Sequence, residues 1–464
     1  MIQDRNRGLF TGAVFTAPVL LYNQKVMKRF LKKTKITCEG DSMKILKRLR
    51  TMVCTILAVM IAVSCVPAQG SDKAEAKGME SVIGWGIDVS AWQGDIDWNA
   101  VKASGVQFAF IKCGGTIYGF DDKFAQNMMA AQAAGIKTGV YIYSYATNVA
   151  EAAVEAQWII NACAPYIVSM PIVLDIENYR HERLDPLTNA MICQTFCQIV
   201  EAAGYYPMVY SSRFMLRDKI GPFGYDKWVA QWTDYCYDET AAFWQATDKG
   251  VIPGIRGTVD IDYQFKDLSA YIIPYGFASR DGYVYFYENY RRQSNRFVSV
   301  NGGTYFVDAY GHVVAGALYP IGEYIYYFDA TGLMQIGFVN LGDGLRYFDE
   351  NGHMATGWTD LFGYTYFFDP AQGGIAVTGF ISDGVYTYYF GPDGTLQKGL
   401  FSNGNSLYFA DLNGRLQTGL ITMSGLSFYF DPAKGGALLV NGTATDVLGH
   451  VYVADANGLA MMIR

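Results

Sequence analysis

The stretch PIVLDIENY, Pro171 to Tyr179, closes an aliphatic run with two carboxylates two residues apart, Asp175 and Glu177. Side chains alternate faces along a β-strand, so this spacing directs both to one side. A solvated edge would carry such a pair for no purpose. The aliphatic flank instead describes a buried strand, where a charge requires a partner or a task. Two more acids end comparable runs: Asp88 in WGIDVSAWQG, and Asp260 in GTVDIDYQF, where Asp262 is the alternative. Four carboxylates at one rim would oppose each other's ionisation and keep at least one as the neutral acid near neutral pH, ready to give up a proton. A metal site also gathers carboxylates, but the chain has only four His, at 181, 312, 353 and 450. Glycosidic cleavage needs two carboxyl groups and no metal, so neither a metal nor a cofactor is expected.

The elements that must position these acids alternate. WGIDVS, VQFAFIKC, KTGVYIYSYA and MPIVLDIEN have strand character, and helical periods cover 122–134, 148–163 and 186–203, the first and last closed by Gly135 and Gly204. Repeated strand, helix, strand implies a parallel sheet, and strands this apolar imply burial on both faces. Four further strands (YPMVYSS, KWVAQWT, AAFWQAT and VDIDYQF) follow within about sixty residues, leaving little room for helices between the last of them. The expected fold is α/β: an incomplete (β/α) TIM-like barrel, its active face at the C-terminal ends of the strands.

From about Tyr275 the pattern changes. Glycines at 316, 337, 357, 379, 399 and 419 punctuate aromatic clusters such as YIYYFD, YTYFFD and SFYFDP, each followed by a turn such as ENG or PDG. Residues 276–315 and the final VYVADANG hold degenerate copies. Each unit reads as a β-hairpin that cannot bury its own aromatics, so an all-β solenoid of stacked hairpin repeats is expected. The array supplies an outlet for 35 Tyr and 28 Phe among 464 residues.

The net charge of -7 conceals a division: residues 1–50 hold 12 Lys or Arg against 3 Asp or Glu, and residues 71–464 hold 24 against 40. So acidic a body excludes nucleic acid as a partner. MKILKRLRTMVCTILAVMIAVSCVPAQG, from Met43, has a basic start, a short apolar core and small residues, the layout of a secretory signal cleaved after Ala68. Cys65, preceded by Ala-Val-Ser, is the less favoured lipoprotein alternative. The expected organisation is 1–42 without an assigned role, 43–68 signal, 69–84 linker, 85–270 barrel and 275–464 repeats, with no membrane span after cleavage. Of eight Cys, the five beyond the signal lack metal or disulfide spacing, and Cys193 and Cys197, one helical turn apart, should face a core.

In order, GIDVSAWQGDIDW, FAFIKCGG, GVYIYSYA, PIVLDIEN, WVAQWT, FWQAT and GTVDIDYQF resemble the motifs of glycoside hydrolase family 25, the N-acetylmuramidases of the Chalaropsis lysozyme type. The resemblance covers about 180 residues. It implies that Glu177 is the general acid and that Asp175 supports the developing positive charge or orients the substrate's N-acetyl group, with retention through the acetamido oxygen. It makes Asp88 and Asp260 the other two acids, Asp262 being the alternative to Asp260. Tyr143, Tyr210, Trp92 and Trp232 would line the groove for sugar stacking, Gln231 and Lys112 would hydrogen-bond the substrate, and Trp244 would pack. The chain departs from the family's pattern at KCGGT, Lys112 to Thr116, so the loop after the second strand differs.

The repeats resemble the choline- and glucan-binding modules of Gram-positive surface proteins. Choline modules cage a quaternary ammonium by cation–π attraction. Here the residue after the marker glycine is Phe338, Trp358, Phe380, Leu400 or Leu420, and Leu has no π face. That favours a glycan, another wall polymer or a self-packed spacer over choline. The expected function is an exported, extracellular endo-muramidase acting on peptidoglycan glycan strands at the cell surface. The alternatives are an inactive barrel serving as a glycan-binding surface protein, or a hydrolase of chitin or another glucan.

Overall fold

The computed structural model describes residues 76–464. The 1–42 extension, the 43–68 signal and the linker up to residue 75 lie outside the described residues. Nine strands and five helices make the first body: β1 Gly84–Val89, β2 Phe108–Gly115, β3 Gly119–Phe120, β4 Lys137–Tyr143, β5 Ile172–Asp175, β6 Pro207–Ser212, β7 Lys227–Ala230, β8 Ala241–Gly250 and β9 Val259–Gln264, with α1 Trp98–Ala103, α2 Phe124–Ala133, α3 Val149–Cys163, α4 Tyr179–Glu182 and α5 Pro186–Ala202.

Eight of these strands close a ring. β1, β2, β4, β5, β6, β7 and β8 pair in parallel, and β9 runs antiparallel between β8 and β1, while β3 only folds back on the end of β2. The expectation of an incomplete barrel is corrected in one respect: the sheet is complete and only the helical coat is short. β6 is followed by a single π-helical turn, Met215–Lys219, and no helix lies between β7 and β8. An antiparallel return needs no crossover helix, so β8 and β9 close the ring as a hairpin.

Local chemistry sets the helix ends. The Asn148 side chain accepts the N–H groups of Ala150 and Glu151 at 3.0 and 3.1 Å, capping α3. Asp185 caps α5 through Thr188 N–H at 3.0 Å, with Pro186 at the first helical position.

Alternation along the strands divides the core in two. Ile172 and Leu174 face the helices, joining Ile159, Phe196, Cys193 and Cys197. Val173 faces the barrel interior with Phe108, Phe110, Met208, Trp228 and Phe243. Asp175 follows Val173 in phase and therefore ends on the inner face. Gly139 makes space for this filling, since a Cβ there would lie 2.5 Å from the Phe110 ring. Cys113, Cys163, Cys193, Cys197 and Cys236 are all buried and unpaired.

Beyond residue 275 the chain forms small antiparallel hairpins, each its own two- or three-stranded sheet. The marker glycines 316, 337, 357, 379, 399 and 419 have φ between 64 and 88°, and a Cβ at any of them would meet nothing within 4 Å. The left-handed backbone, not crowding, is what requires glycine there. Neighbouring hairpins touch through aromatic pairs: Phe338 with Tyr366 at 5.3 Å, Trp358 with Tyr388 at 5.0 Å, and Phe380 with Tyr408 at 5.0 Å between ring centroids. Backbone bonds join them too, such as Met354 N–H to Ile325 O at 2.9 Å and Leu396 N–H to Thr365 O at 2.8 Å.

The first hairpin is fastened to the barrel. The last carbonyls of a helix lack intrahelical partners and carry partial negative charge. At the end of α5, Arg291 Nε donates to Ala203 O at 2.6 Å and Arg292 Nη2 to Glu201 O at 3.0 Å. Arg292 N–H also donates to Gly204 O at 2.9 Å. This seam lies beside Pro207, where β6 begins, at the end of the barrel opposite the strands' C-termini.

Candidate active site

A cavity of about 320 Å³ opens at the C-terminal ends of the strands, and Asp88, Asp175, Glu177 and Asp260 all line it. Each arrives by a different route. Asp88 is the inward residue near the end of β1, directly opposite Asp260 in the β1–β9 pairing. Asp175 is the last residue of β5. Glu177 lies one residue beyond the strand rather than on it. Its register is still held by Ile176, which is fully buried and bonded to β6: Ile176 N–H donates to Tyr210 O at 3.0 Å, and Ser211 Oγ donates to Ile176 O at 2.5 Å.

Their environments differ. Asp175 is 4% exposed, and its Oδ1 has no hydrogen-bond partner. Burial pushes its pKa well up, the neighbouring Glu177 adds to this, and Lys112 opposes it. Asp88, 6% exposed, accepts Gln245 Nε2 at 2.8 Å, and is likewise raised by burial first and then by Asp260. Burial, then Asp248, pushes Asp260 up to about 6. The carboxyl of Glu177 is open to solvent, yet the cleft walls desolvate it enough to raise its pKa, with Lys112 opposing and Asp260 adding. The cavity therefore favours protonated acids and offers one exposed carboxyl to a ligand.

Asp262 does not line the cavity. It is fully buried beneath Asp260 on the same face of β9 and accepts Trp228 Nε1 at 2.8 Å, and its Oδ2 is without a partner. Of the two acids in VDIDYQF, the geometry brings Asp260 to the opening.

The other expected groove residues divide. Tyr143, Tyr210, Trp92 and Lys112 line the cavity. Trp92 is 91% exposed on the turn Ala91–Gln93, which Ser90 and Gln93 hold in a reciprocal capping box. Lys112 Nζ lies 5.1 Å from the centroid of the Tyr143 ring. Trp232 and Gln231 are not in the lining. Trp232 stands exposed at the rim, its Nε1 donating to Gln245 Oε1 at 3.2 Å, and Gln231 Oε1 is occupied by Tyr237 N–H at 3.1 Å. Trp244 packs in the outer core and donates to Gln231 O at 2.7 Å. At KCGGT the pairing of β2 with β4 slips between Lys112 and Gly114, so a bulge sits directly after Lys112.

Sequence reasoning passed over Gln245, the hub of the site. Its amide donates to Asp88 and accepts from Tyr210 Oη at 3.0 Å as well as from Trp232. The signal was available: in AAFWQAT, Phe243 and Gln245 share the inward phase and Trp244 points outward. Tyr141 and Asp248 also line the cavity and were missed. Among the described residues no group of three or more His, Cys, Asp or Glu could hold a metal ion.

Comparison with known proteins identifies one family model, "Glycosyl hydrolases family 25", matching residues 87–255. "Uncharacterized protein YegX" of Escherichia coli O157:H7 is 30% identical over 187 residues, covering 38% of this chain and 68% of that protein. "Lysozyme M1" of Streptomyces globisporus is 30% identical over 204 residues, covering 38% of this chain and 65% of that protein. The modular Cpl-1 endolysin, solved with a peptidoglycan analogue, aligns over 72% of this chain and 94% of its own at 21% identity and a TM-score of 0.33.

Proposed function

The chain belongs to the family 25 glycosyl hydrolases, and from that membership we infer that it hydrolyses peptidoglycan, cutting the β-1,4 bond from N-acetylmuramic acid to N-acetylglucosamine. Glu177, raised in pKa but open at its tip, protonates the leaving glycosidic oxygen. Asp175 sits beside it with a bare Oδ1 and takes the N–H of the substrate's acetamido group. That contact turns the acetamido oxygen toward the anomeric carbon, where it acts as the nucleophile and gives retention. Asp88 and Asp260 face each other and share a proton, which keeps this wall of the groove from repelling Glu177's conjugate base. Tyr143 and Trp92 offer ring faces to the sugars, and Lys112 offers a donor. Tyr210 is buried against Trp228 with its hydroxyl on Gln245, and serves to hold the wall rather than to stack.

The observation that carries this reading is the pairing of one open carboxyl with one buried, unpartnered carboxyl in the same cavity. Purified peptidoglycan tests it by turbidity. The wild type should clear the suspension, and Glu177→Gln, folded by circular dichroism, should do so about 100-fold more slowly or worse. Equal clearing by the two ends the reading. Mass spectrometry of the new reducing ends then separates muramic acid, as expected, from glucosamine.

In the same reading residues 85–270 are the catalytic body, 275–464 stack as a solenoid that engages a wall polymer or glycan, and 43–68 direct export so that the enzyme acts outside the cell. Holding the barrel at its substrate raises effective concentration without altering catalysis. Among the described residues no helix is long and apolar enough to cross a membrane.

A further inference from the structure

Muramic acid differs from glucosamine by a lactyl arm on O3, which ends in a carboxyl or carries the stem peptide. The acids of the site address what the two sugars share, the acetamido group and the glycosidic oxygen. The cavity lining holds five carboxyls, Asp88, Asp175, Glu177, Asp248 and Asp260, against one cation, Lys112, and so turns an anionic arm away. A counter-charge for that arm must stand outside the lining.

Ring contacts lead from the cavity to such a charge. Tyr143, in the lining, meets Tyr145 at 5.1 Å between centroids, and Tyr145 meets Tyr118 at 5.5 Å. The guanidinium of Arg180, three residues beyond Glu177, lies 5.9 Å from the Tyr145 centroid. The supports are fixed from beneath. Buried Glu155 accepts Tyr145 N–H and Ser144 Oγ, both at 2.7 Å, and His181 Nε2 donates to Ala146 O at 2.9 Å, tying α4 to the Tyr145 segment. Gly115 lets β2 close in, since a Cβ there would lie 2.9 Å from Tyr143 O and 3.1 Å from the Tyr145 ring. Tyr118, 80% exposed, stands on the turn between β2 and β3, directly after the KCGGT departure. Arg180 is exposed and pairs with no carboxylate among the described residues. A guanidinium steadied on a ring face, with its fork unused, is suited to a carboxylate.

We propose that Arg180, beside Tyr145 and Tyr118, is a specificity-determining residue that binds a carboxylate borne by the O3 arm of muramic acid, from the lactyl group or from the stem peptide. The proposal rests on the muramidase reading and names the part of the substrate that distinguishes it from chitin. Calorimetric titration tests it on the full chain carrying Glu177→Gln, so that binding is read without cleavage. The probes are peptide-free glycan tetramers from peptidoglycan, the same tetramers with stem peptides, and peptide-free tetramers whose lactyl carboxyl is reduced to the alcohol. Adding Arg180→Gln should raise the Kd of one or both carboxylate-bearing tetramers about fivefold or more, and which of them responds tells lactyl from peptide. The reduced tetramer should change by less than about twofold, and so should all three probes with Arg183→Gln, which removes the same charge from an arginine that leans on Tyr179 instead. Binding at the array is common to every chain compared. The proposal is overturned if no tetramer binds, if Arg180→Gln leaves both carboxylate-bearing tetramers unchanged, if it weakens the reduced tetramer equally, or if Arg183→Gln matches it. Failure of the wild type to clear peptidoglycan would remove the catalytic reading and leave an Arg180-dependent Kd standing.

Discussion

Asp260 lies at the opening of the cavity opposite Asp88, and its burial, with Asp248 beside it, sets how this acid responds to pH. Asp260 is raised to about 6 from an ordinary value near 3.8. A carboxyl raised by folding favours the folded state when protonated, so its stabilising contribution is fully present below about pH 3.8 and is lost as pH rises through about 6. Asp260→Asn should therefore be more stable than wild type at pH 7, by at most about 3 kcal/mol, with the difference gone at pH 4; thermal melts at the two pH values check this. Gln245→Leu removes the donor to Asp88 and the acceptor for Tyr210 and Trp232. A hydrogen bond between neutral groups is worth about 0.5–1.5 kcal/mol, so kcat on soluble glycan strands should fall by up to about tenfold with KM little changed. Asp175 and Asp88 were legible because strand period fixes their face. Gln231 and Trp232 fall outside the cavity lining because their strand, β7, ends at Ala230, and beyond it alternation no longer says where a side chain points.

At the scale of elements, two kinds of glycine separate crowding from backbone conformation. Gly139→Ala would push a methyl into the Phe110 ring and the Pro171 carbonyl, 2.5 and 2.8 Å away, and overpacking of this kind costs about 1–3 kcal/mol. Gly357→Ala meets no atom but holds φ 77°, and should cost about 1–2 kcal/mol from the left-handed backbone alone. Urea unfolding measures both. Shortening Phe110 to Leu should rescue the first variant in part, the clash with the Pro171 carbonyl remaining, and give the second no rescue. The helices Val149–Cys163 and Pro186–Ala202 were readable because Asn148, Asp185 and Pro186 mark their starts. α1 was missed, since six residues leave too little period to detect. Ring closure was also invisible, because pairing of β9 with both β8 and β1 is a long-range choice that no local pattern records.

At the scale of the molecule, the Arg291 and Arg292 contacts make the barrel and the first hairpin one fastened piece. The double change Arg291→Ala, Arg292→Ala leaves carbonyls at the end of α5 without these donors. It should split a single calorimetric transition into two and open the 265–275 connection to proteolysis, while clearing of soluble glycan strands persists. Sequence alone described the two regions as a catalyst and a tether. The pair of adjacent arginines carries no pattern that announces a clasp, because its targets are main-chain carbonyls nearly ninety positions earlier. The clasp grips the barrel at its closed base, and the acids open at the other end. An enzyme that stands on its array would thus have a fixed stride: it would spare the strand under its own foot and clip neighbours one barrel's height away.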